Sequence, residues 1–102
     1  MTAPGNSGSS IHGVYRYRPG SPIAVVTISN FPPAPSGHVY RVWASYRGVW
    51  NSLGEMRPDA SGHARQIAEQ PALAAAPDAV EVTLELSIGG ATPRGPILIH
   101  WP

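Results

Sequence analysis

The chain has 102 residues, including 11 glycines, 12 prolines and no cysteine. This length allows one domain with one core, and the absence of cysteine excludes disulfides, thiolate nucleophiles, iron–sulfur clusters and Cys-type zinc sites. Lys and Arg together number 7 (all Arg) against 6 carboxylates, a net charge of +1, which lacks the basic footprint that nucleic-acid or anionic-membrane binding requires.

Residues 1–10 (MTAPGNSGSS) are small, polar and Gly/Ser-rich. They read as a flexible lead-in or an expression remnant outside the fold, leaving 11–102 as a single β-sandwich domain. From Ile11 onward, runs rich in Val, Ile, Tyr and Trp alternate with Pro/Gly/Asn/Asp/Ser clusters at intervals of about ten residues, the pattern of a sandwich or barrel. The runs are 11–18, 23–30, 38–46, 47–57, 62–69, 79–88 and 96–101. The expected fold is all-β, an antiparallel sandwich of about seven strands, Ig-like in general architecture.

In the second run Ala24, Val26 and Ile28 oppose Val25, Thr27 and Ser29, with apolar residues on both sides, which suits a central strand. The third run sets Tyr40, Val42, Ala44 and Tyr46 against Val39, Arg41, Trp43 and Ser45, so Tyr40 and Trp43 are expected on opposite faces. The sixth run alternates most clearly. Val80, Val82, Leu84, Leu86 and Ile88 are assigned to the core, and Glu81, Thr83, Glu85 and Ser87 to a solvated outer face. The last run puts Ile97, Ile99 and Trp101 opposite Leu98 and His100. Pro58, Asp59 and Gly62 read as a tight hairpin loop, Asp59 bonding its own backbone and Gly62 taking a positive φ. Pro71–Pro77 is the one Ala-rich stretch, a loop with room for a short helix.

The search for chemistry is largely negative. No Gly-rich phosphate cradle opens a helix, and no serine sits in a nucleophile elbow. His12, His38, His63 and His100 are scattered singly, without ligand spacing. Glu81 and Glu85 on an extended strand lie roughly 13 Å apart, too far for an acid/base pair on one bond. No catalytic residue, cofactor or metal is expected, and the chain reads as a non-enzyme; a metal-dependent enzyme built from the scattered histidines is the least favoured reading. Trp43, Tyr46 and Trp50 on adjacent strands offer a rigid aromatic face for a sugar or other small ligand. A stand-alone carbohydrate- or small-ligand-binding module is therefore the alternative reading, set against aromatics that fill the core and its rim. No basic n-region followed by an apolar stretch opens the chain. The longest uncharged apolar stretches, Pro22–Ile28 and Pro96–Trp101, fall short of the roughly 20 residues that span a bilayer. A soluble domain without its own export signal or anchor is the expectation.

Four segments in order carry a family resemblance. Asn30-Phe31-Pro32-Pro33-Ala34-Pro35-Ser36-Gly37-His38-Val39-Tyr40-Arg41-Val42-Trp43 is followed by Leu53-Gly54-Glu55-Met56 leading to Pro58-Asp59-Ala60-Ser61-Gly62-His63-Ala64. Asp78 to Glu85 (DAVEVTLE) and Gly89 to Pro96 (GGATPRGP) complete the set. Together, over about residues 14 to 100, they resemble the C-terminal extracytoplasmic domain of anti-sigma-K factors of the RskA type. The chain departs from that pattern at Leu86, where the family has proline, and at His38, where small or basic residues are common.

The resemblance implies a sensor or interaction domain of a single-pass membrane regulator. In such proteins a cytoplasmic module holds a sigma factor inactive until signal-triggered proteolysis releases it. It further implies an extracytoplasmic (periplasmic or cell-surface) location and a protein partner or regulatory protease. A sigma factor would be reached only through an N-terminal module, and the membrane only through a transmembrane helix, neither of which this chain contains. Tyr40, Trp43, Gly54, Asp59, Gly62, Thr83 and Glu85 occupy matched motif positions. Of these, Tyr40, Gly54, Asp59 and Gly62 are read as structural, and Trp43, Thr83 and Glu85 as a candidate interaction surface.

Overall fold

A computed structural model describes residues 2–4, 11–90 and 92–101. Among the described residues there are eight strands: β1 (Thr2–Pro4), β2 (His12–Tyr17), β3 (Ile23–Ser29), β4 (His38–Tyr46), β5 (Val49–Met56), β6 (Ala64–Glu69), β7 (Ala79–Leu86) and β8 (Ile97–Trp101). All pairings are antiparallel. One sheet has the order β1-β2-β3-β6 and the other β5-β4-β7-β8, an Ig-like sandwich. Seven strands coincide with the seven runs read from sequence. The eighth, β1, pairs Thr2–Pro4 with Val14–Arg16 of β2. This corrects the exclusion of these three residues from the fold; the rest of the expected lead-in lies outside the described residues.

The inter-sheet core follows the alternation of each strand. Ala24, Val26 and Ile28 of the central β3 face Tyr40, Val42 and Ala44 of β4 and Val80 and Val82 of β7 in one buried cluster. Gly13 on β2 is a packing necessity: a Cβ there would sit 2.6 Å from Ile99 Cδ1 and 3.1 Å from the Trp101 ring. The Ala-rich stretch forms one 3₁₀ turn, Pro71–Ala74, whose Leu73 plugs the core at 0 % exposure.

Local chemistry sets the connections. Arg47 and Gly48, with φ of 54° and 78°, make the two-residue turn between β4 and β5, a conformation that matches the twist of a hairpin. Asp78 Oδ2 accepts the Arg47 N–H at 2.6 Å. The Pro58–Gly62 loop has the expected internal bonds, with Asp59 Oδ1 accepting the N–H groups of Ser61 at 2.8 Å and His63 at 3.0 Å. It is a corner and not a hairpin, however, because it carries the chain from β5 in one sheet to β6 in the other. Where the open edges of β5 and β6 meet, glutamine amides close the seam. Gln66 Nε2 donates to Leu53 O at 3.2 Å and Gln70 Nε2 to Ser52 O at 2.9 Å.

Two bulges alter the faces expected from simple alternation. In β8 the register shifts so that Ile99 pairs with Val82 but Ile97 with Thr83. Ile97 thus moves to the outer face, 56 % exposed, while Ile99 and Trp101 stay in the core. In β5 an irregularity opposite Val42/Trp43 falls at Leu53, which is buried, beside Gly54 at φ 120°.

Candidate functional site

The outer face of the second sheet departs furthest from the sequence pattern. The register places Val39, Arg41, Trp43 and Ser45 of β4 beside Glu85, Thr83, Glu81 and Ala79 of β7. A solvated face was expected for the β7 residues, but Glu81, Thr83 and Glu85 are 8 %, 0 % and 6 % exposed. Conversely Leu86 and Ile88, assigned to the core from their alternation, are 59 % and 93 % exposed. The reason is tertiary: the segment between β7 and β8 folds back onto Glu85, Trp43 bonds Thr83, and Glu81 lies between Trp43 of β4 and His100 of β8.

Hydrogen bonds hold that arrangement. Trp43 Nε1 donates to Thr83 Oγ1 at 2.9 Å, and the Thr83 hydroxyl donates to Glu85 Oε2 at 2.5 Å. Glu85 then accepts the Arg94 N–H at 3.1–3.2 Å and the Gly95 N–H at 2.9 Å. Leu84 N donates to Pro96 O at 3.1 Å. Only glycine fits at position 95, since a Cβ there would lie 1.6 Å from Leu84 O. Arg41 braces the other limb of the loop. Its guanidinium donates to Ser87 O at 3.2 Å and pairs with Glu55 at 3.1 Å, and Gly89 passes close over it.

Burial raises the Glu85 pKa. The Thr83 hydroxyl, the Gly95 and Arg94 N–H groups and the Arg41 charge outweigh that effect and leave it below the usual glutamate value. Glu85 is thus a fixed anionic acceptor that clamps the loop, with its oxygens committed to Thr83 and the Arg94 and Gly95 N–H groups.

The structure therefore brings together the three sequence-predicted residues Trp43, Thr83 and Glu85 as one bonded chain. Their side chains are covered, so what this cluster presents outward is the loop it anchors. Sequence reading missed Arg41 and Arg94; the available signal was an arginine alternating with apolar residues on β4 and the Pro93-Arg94-Gly95-Pro96 turn. Beside the clamp lies a cavity of about 260 Å³, walled by His38, Glu85, Leu86, Ile88, Arg94 and the loop glycines.

Trp43, Tyr46 and Trp50 do not form a shared exposed face. Trp43 is at 0 % exposure, and Trp50 pairs with Ser45 on the outer face. Tyr46 lies on the other face of β4, packed against the core with its hydroxyl donating to Ala75 O at 3.1 Å. Tyr40 is an inner-face residue; it meets Phe31 edge-on at 5.0 Å and donates to Pro32 O at 2.8 Å, tying the Phe31–Pro35 crossover to the core. Gly54, at φ 120°, leaves room for Gln66, whose Nε2 would lie 2.3 Å from a Cβ there. Gly62, at φ 79°, sits against the Phe31 backbone, where a Cβ would be 2.8 Å from Phe31 O.

Among the described residues no group of three His, Asp or Glu side chains is placed to hold a metal ion. His100 Nδ1 approaches Glu81 Oε1 at 3.5 Å, a proximity that only strand pairing reveals. No described helix is long and apolar enough to cross a membrane.

A family model described as anti-sigma-K factor rskA, C-terminal, matches residues 1–97. No curated protein and no solved structure matches the chain.

Proposed function

Because the chain belongs to the family of anti-sigma-K factor RskA C-terminal domains, we propose that it is the extracytoplasmic sensor and interaction domain of a membrane-bound anti-sigma factor. It performs no catalysis. Its task is recognition, and its folded state governs access of a regulatory protease to a cleavage point nearer the membrane, and so the release of a sigma factor held by a separate cytoplasmic module. The matched span covers nearly the whole chain, which makes the family the basis of the reading.

The observation that carries the mechanism is the Trp43–Thr83–Glu85 chain. It joins a buried indole to the N–H groups of an otherwise irregular surface loop. A partner that engages the loop is thereby coupled to the stability of the sheet beneath it. In this reading Trp43, Thr83 and Glu85 support the interaction surface from below.

The test is a membrane-tethered anti-sigma factor carrying this domain, with a reporter for the cognate sigma factor. Glu85→Gln, which loosens the clamp, is expected to raise basal reporter output and accumulate the cleaved fragment. If a variant shown in vitro to be destabilised leaves both unchanged, the proposed coupling of folding to release is wrong.

A further inference from the structure

The crossover from β3 to β4 contains Phe31-Pro32-Pro33-Ala34-Pro35, in which three of five residues are proline. A proline ring fixes φ at about −65°, and a proline pushes the residue before it to a ψ of about +120° to +160°. Phe31, Pro32 and Ala34 each precede a proline, so the dihedrals combine to a polyproline II rod with about three residues per turn. Residues 31–35 accordingly form neither helix, strand nor turn, and their burial follows that period. Phe31 is 3 % exposed and Ala34 packs against the core, whereas Pro32, Pro33 and Pro35 are exposed. One edge of the three-sided rod is sunk into the domain. The two edges that carry the prolines face outward, with Pro32 and Pro35 together on one of them.

Both ends of the rod are fastened. The Phe31 N–H donates to Gly62 O at 3.1 Å, the Tyr40 hydroxyl to Pro32 O at 2.8 Å and the His38 N–H to Pro35 O at 3.0 Å. These bonds use backbone atoms of the rod and leave its three pyrrolidine rings exposed. A segment already ordered in the shape that is recognised loses little further conformational freedom on binding. Alongside runs a trough of about 340 Å³ lined by Pro33, Ala34, Pro35, His38, Arg57 and Pro58. The Arg57 side chain is 74 % exposed and lies 3.7 Å from Glu55, and a planar guanidinium stacks on aromatic faces.

We infer that this rod is a docking site for a partner protein domain with an aromatic-lined groove, the kind that recognises polyproline II segments. Pro32 and Pro35 seat between the partner's aromatic rings, and a ring at the rim of its groove enters the trough beside Arg57. The spacing Pro32-x-x-Pro35 is the one that such grooves read. The inference goes beyond the coupling of folding to release, because it stands on the β3–β4 crossover and not on the Trp43–Thr83–Glu85 chain.

The experiment titrates the ¹⁵N-labelled chain with three purified modules of this kind, an SH3, a WW and an EVH1 domain. Each is also used as a variant whose groove aromatics are replaced by alanine. Saturable shifts of the Ala34, Ser36, Gly37 and His38 amides are expected with at least one parent module and not with its variant. Joint substitution Pro32→Ala and Pro35→Ala keeps the backbone carbonyls that Tyr40 and His38 bond. It is expected to weaken binding about tenfold or more, about 1.4 kcal/mol per factor of ten. Pro22→Ala, at an exposed proline outside the rod, is expected to leave binding unchanged. Should the double variant unfold, Pro35→Ala alone takes its place, with a loss of about threefold or more expected from half the shared edge. No shift with any module at millimolar concentration, shifts that persist without the groove aromatics, or undiminished binding by the proline variants would each overturn the site. If every module fails while Glu85→Gln still raises sigma-dependent output, the docking rod falls and the regulatory reading stands. The opposite pair of results removes the regulatory reading and leaves the rod.

Discussion

Glu85→Gln isolates the clamp, since the two side chains have the same shape and differ by one acceptor and one charge. The carboxylate receives the Thr83 hydroxyl, the Arg94 N–H and the Gly95 N–H. An amide oxygen in the Oε2 position keeps the Thr83 and Gly95 bonds and the 3.1 Å arm of the bifurcated Arg94 bond, all without the charge, and puts the NH₂ group where Oε1 accepted the 3.2 Å arm, donor against donor. The flipped rotamer loses the Thr83 and Gly95 bonds. Bonds to an ionised group contribute about 1.5–3 kcal/mol and neutral ones about 1 kcal/mol. Three bonds weakened from charged to neutral and one arm of a bifurcated bond lost therefore destabilise the domain by about 2–3 kcal/mol. For a domain of this size that lowers the Tm by about 10–20 °C. Urea unfolding followed by tryptophan fluorescence measures the change directly. Thr83→Val provides the second edge of a double-mutant cycle, because it leaves the Trp43 N–H without its acceptor and Glu85 without a donor. Coupling well above about 0.5 kcal/mol is expected for residues in one network. A Glu85→Gln change within about 0.5 kcal/mol of the parent, or an additive cycle, would refute the account of the clamp.

Acid provides an independent check. Glu85 titrates below its ordinary value of 4.5 in the folded chain, so the unfolded chain takes up the proton first. The stabilisation is complete above that ordinary value and lost as pH falls through the lower folded one. Urea midpoints measured from pH 6 downward should decline in the parent, with Glu85→Gln showing a shallower decline. Asp59, lowered by the N–H bonds from His63 and Ser61, titrates in the same direction, and Glu85→Gln should retain that part of the dependence. Tyr40→Phe keeps the ring against Phe31 and removes only the bond to Pro32 O; a loss of about 1 kcal/mol in the same urea assay is expected. Gly62→Ala adds a strained left-handed residue and a methyl group 2.8 Å from Phe31 O; circular-dichroism melting should report a loss of about 2 kcal/mol or more. Ile28→Ala, in the fully buried centre of β3, should cost about 2–5 kcal/mol by calorimetry or urea unfolding.

The strands that alternate cleanly, and the turns whose residues leave little conformational choice, are readable from the linear chain. Val26 and Ile28, Tyr40 against Trp43, and Asp59 with Gly62 are legible because side-chain period and turn chemistry are local properties. The family resemblance, carried by four ordered segments, is likewise a property of the linear chain, and the family match bears it out. Trp43, Thr83 and Glu85 were singled out from those segments, but their bonded arrangement was not legible.

Which polar face is covered depends on long-range packing. Period-2 alternation says that Glu81, Thr83 and Glu85 share a face; it cannot say that a loop ten residues further on will fold over it and supply N–H donors at Arg94 and Gly95. Nor can it place a bulge. One extra residue in β8 turns Ile97 outward while Ile99 stays buried, because each added residue reverses the facing of what precedes it. The pairing of β1 with β2, the crossing of Pro58–Gly62 between sheets and the bracing by Arg41 are long-range contacts of the same kind. They depend on which elements become neighbours after the sheets pack, a property of the folded whole and not of any local segment.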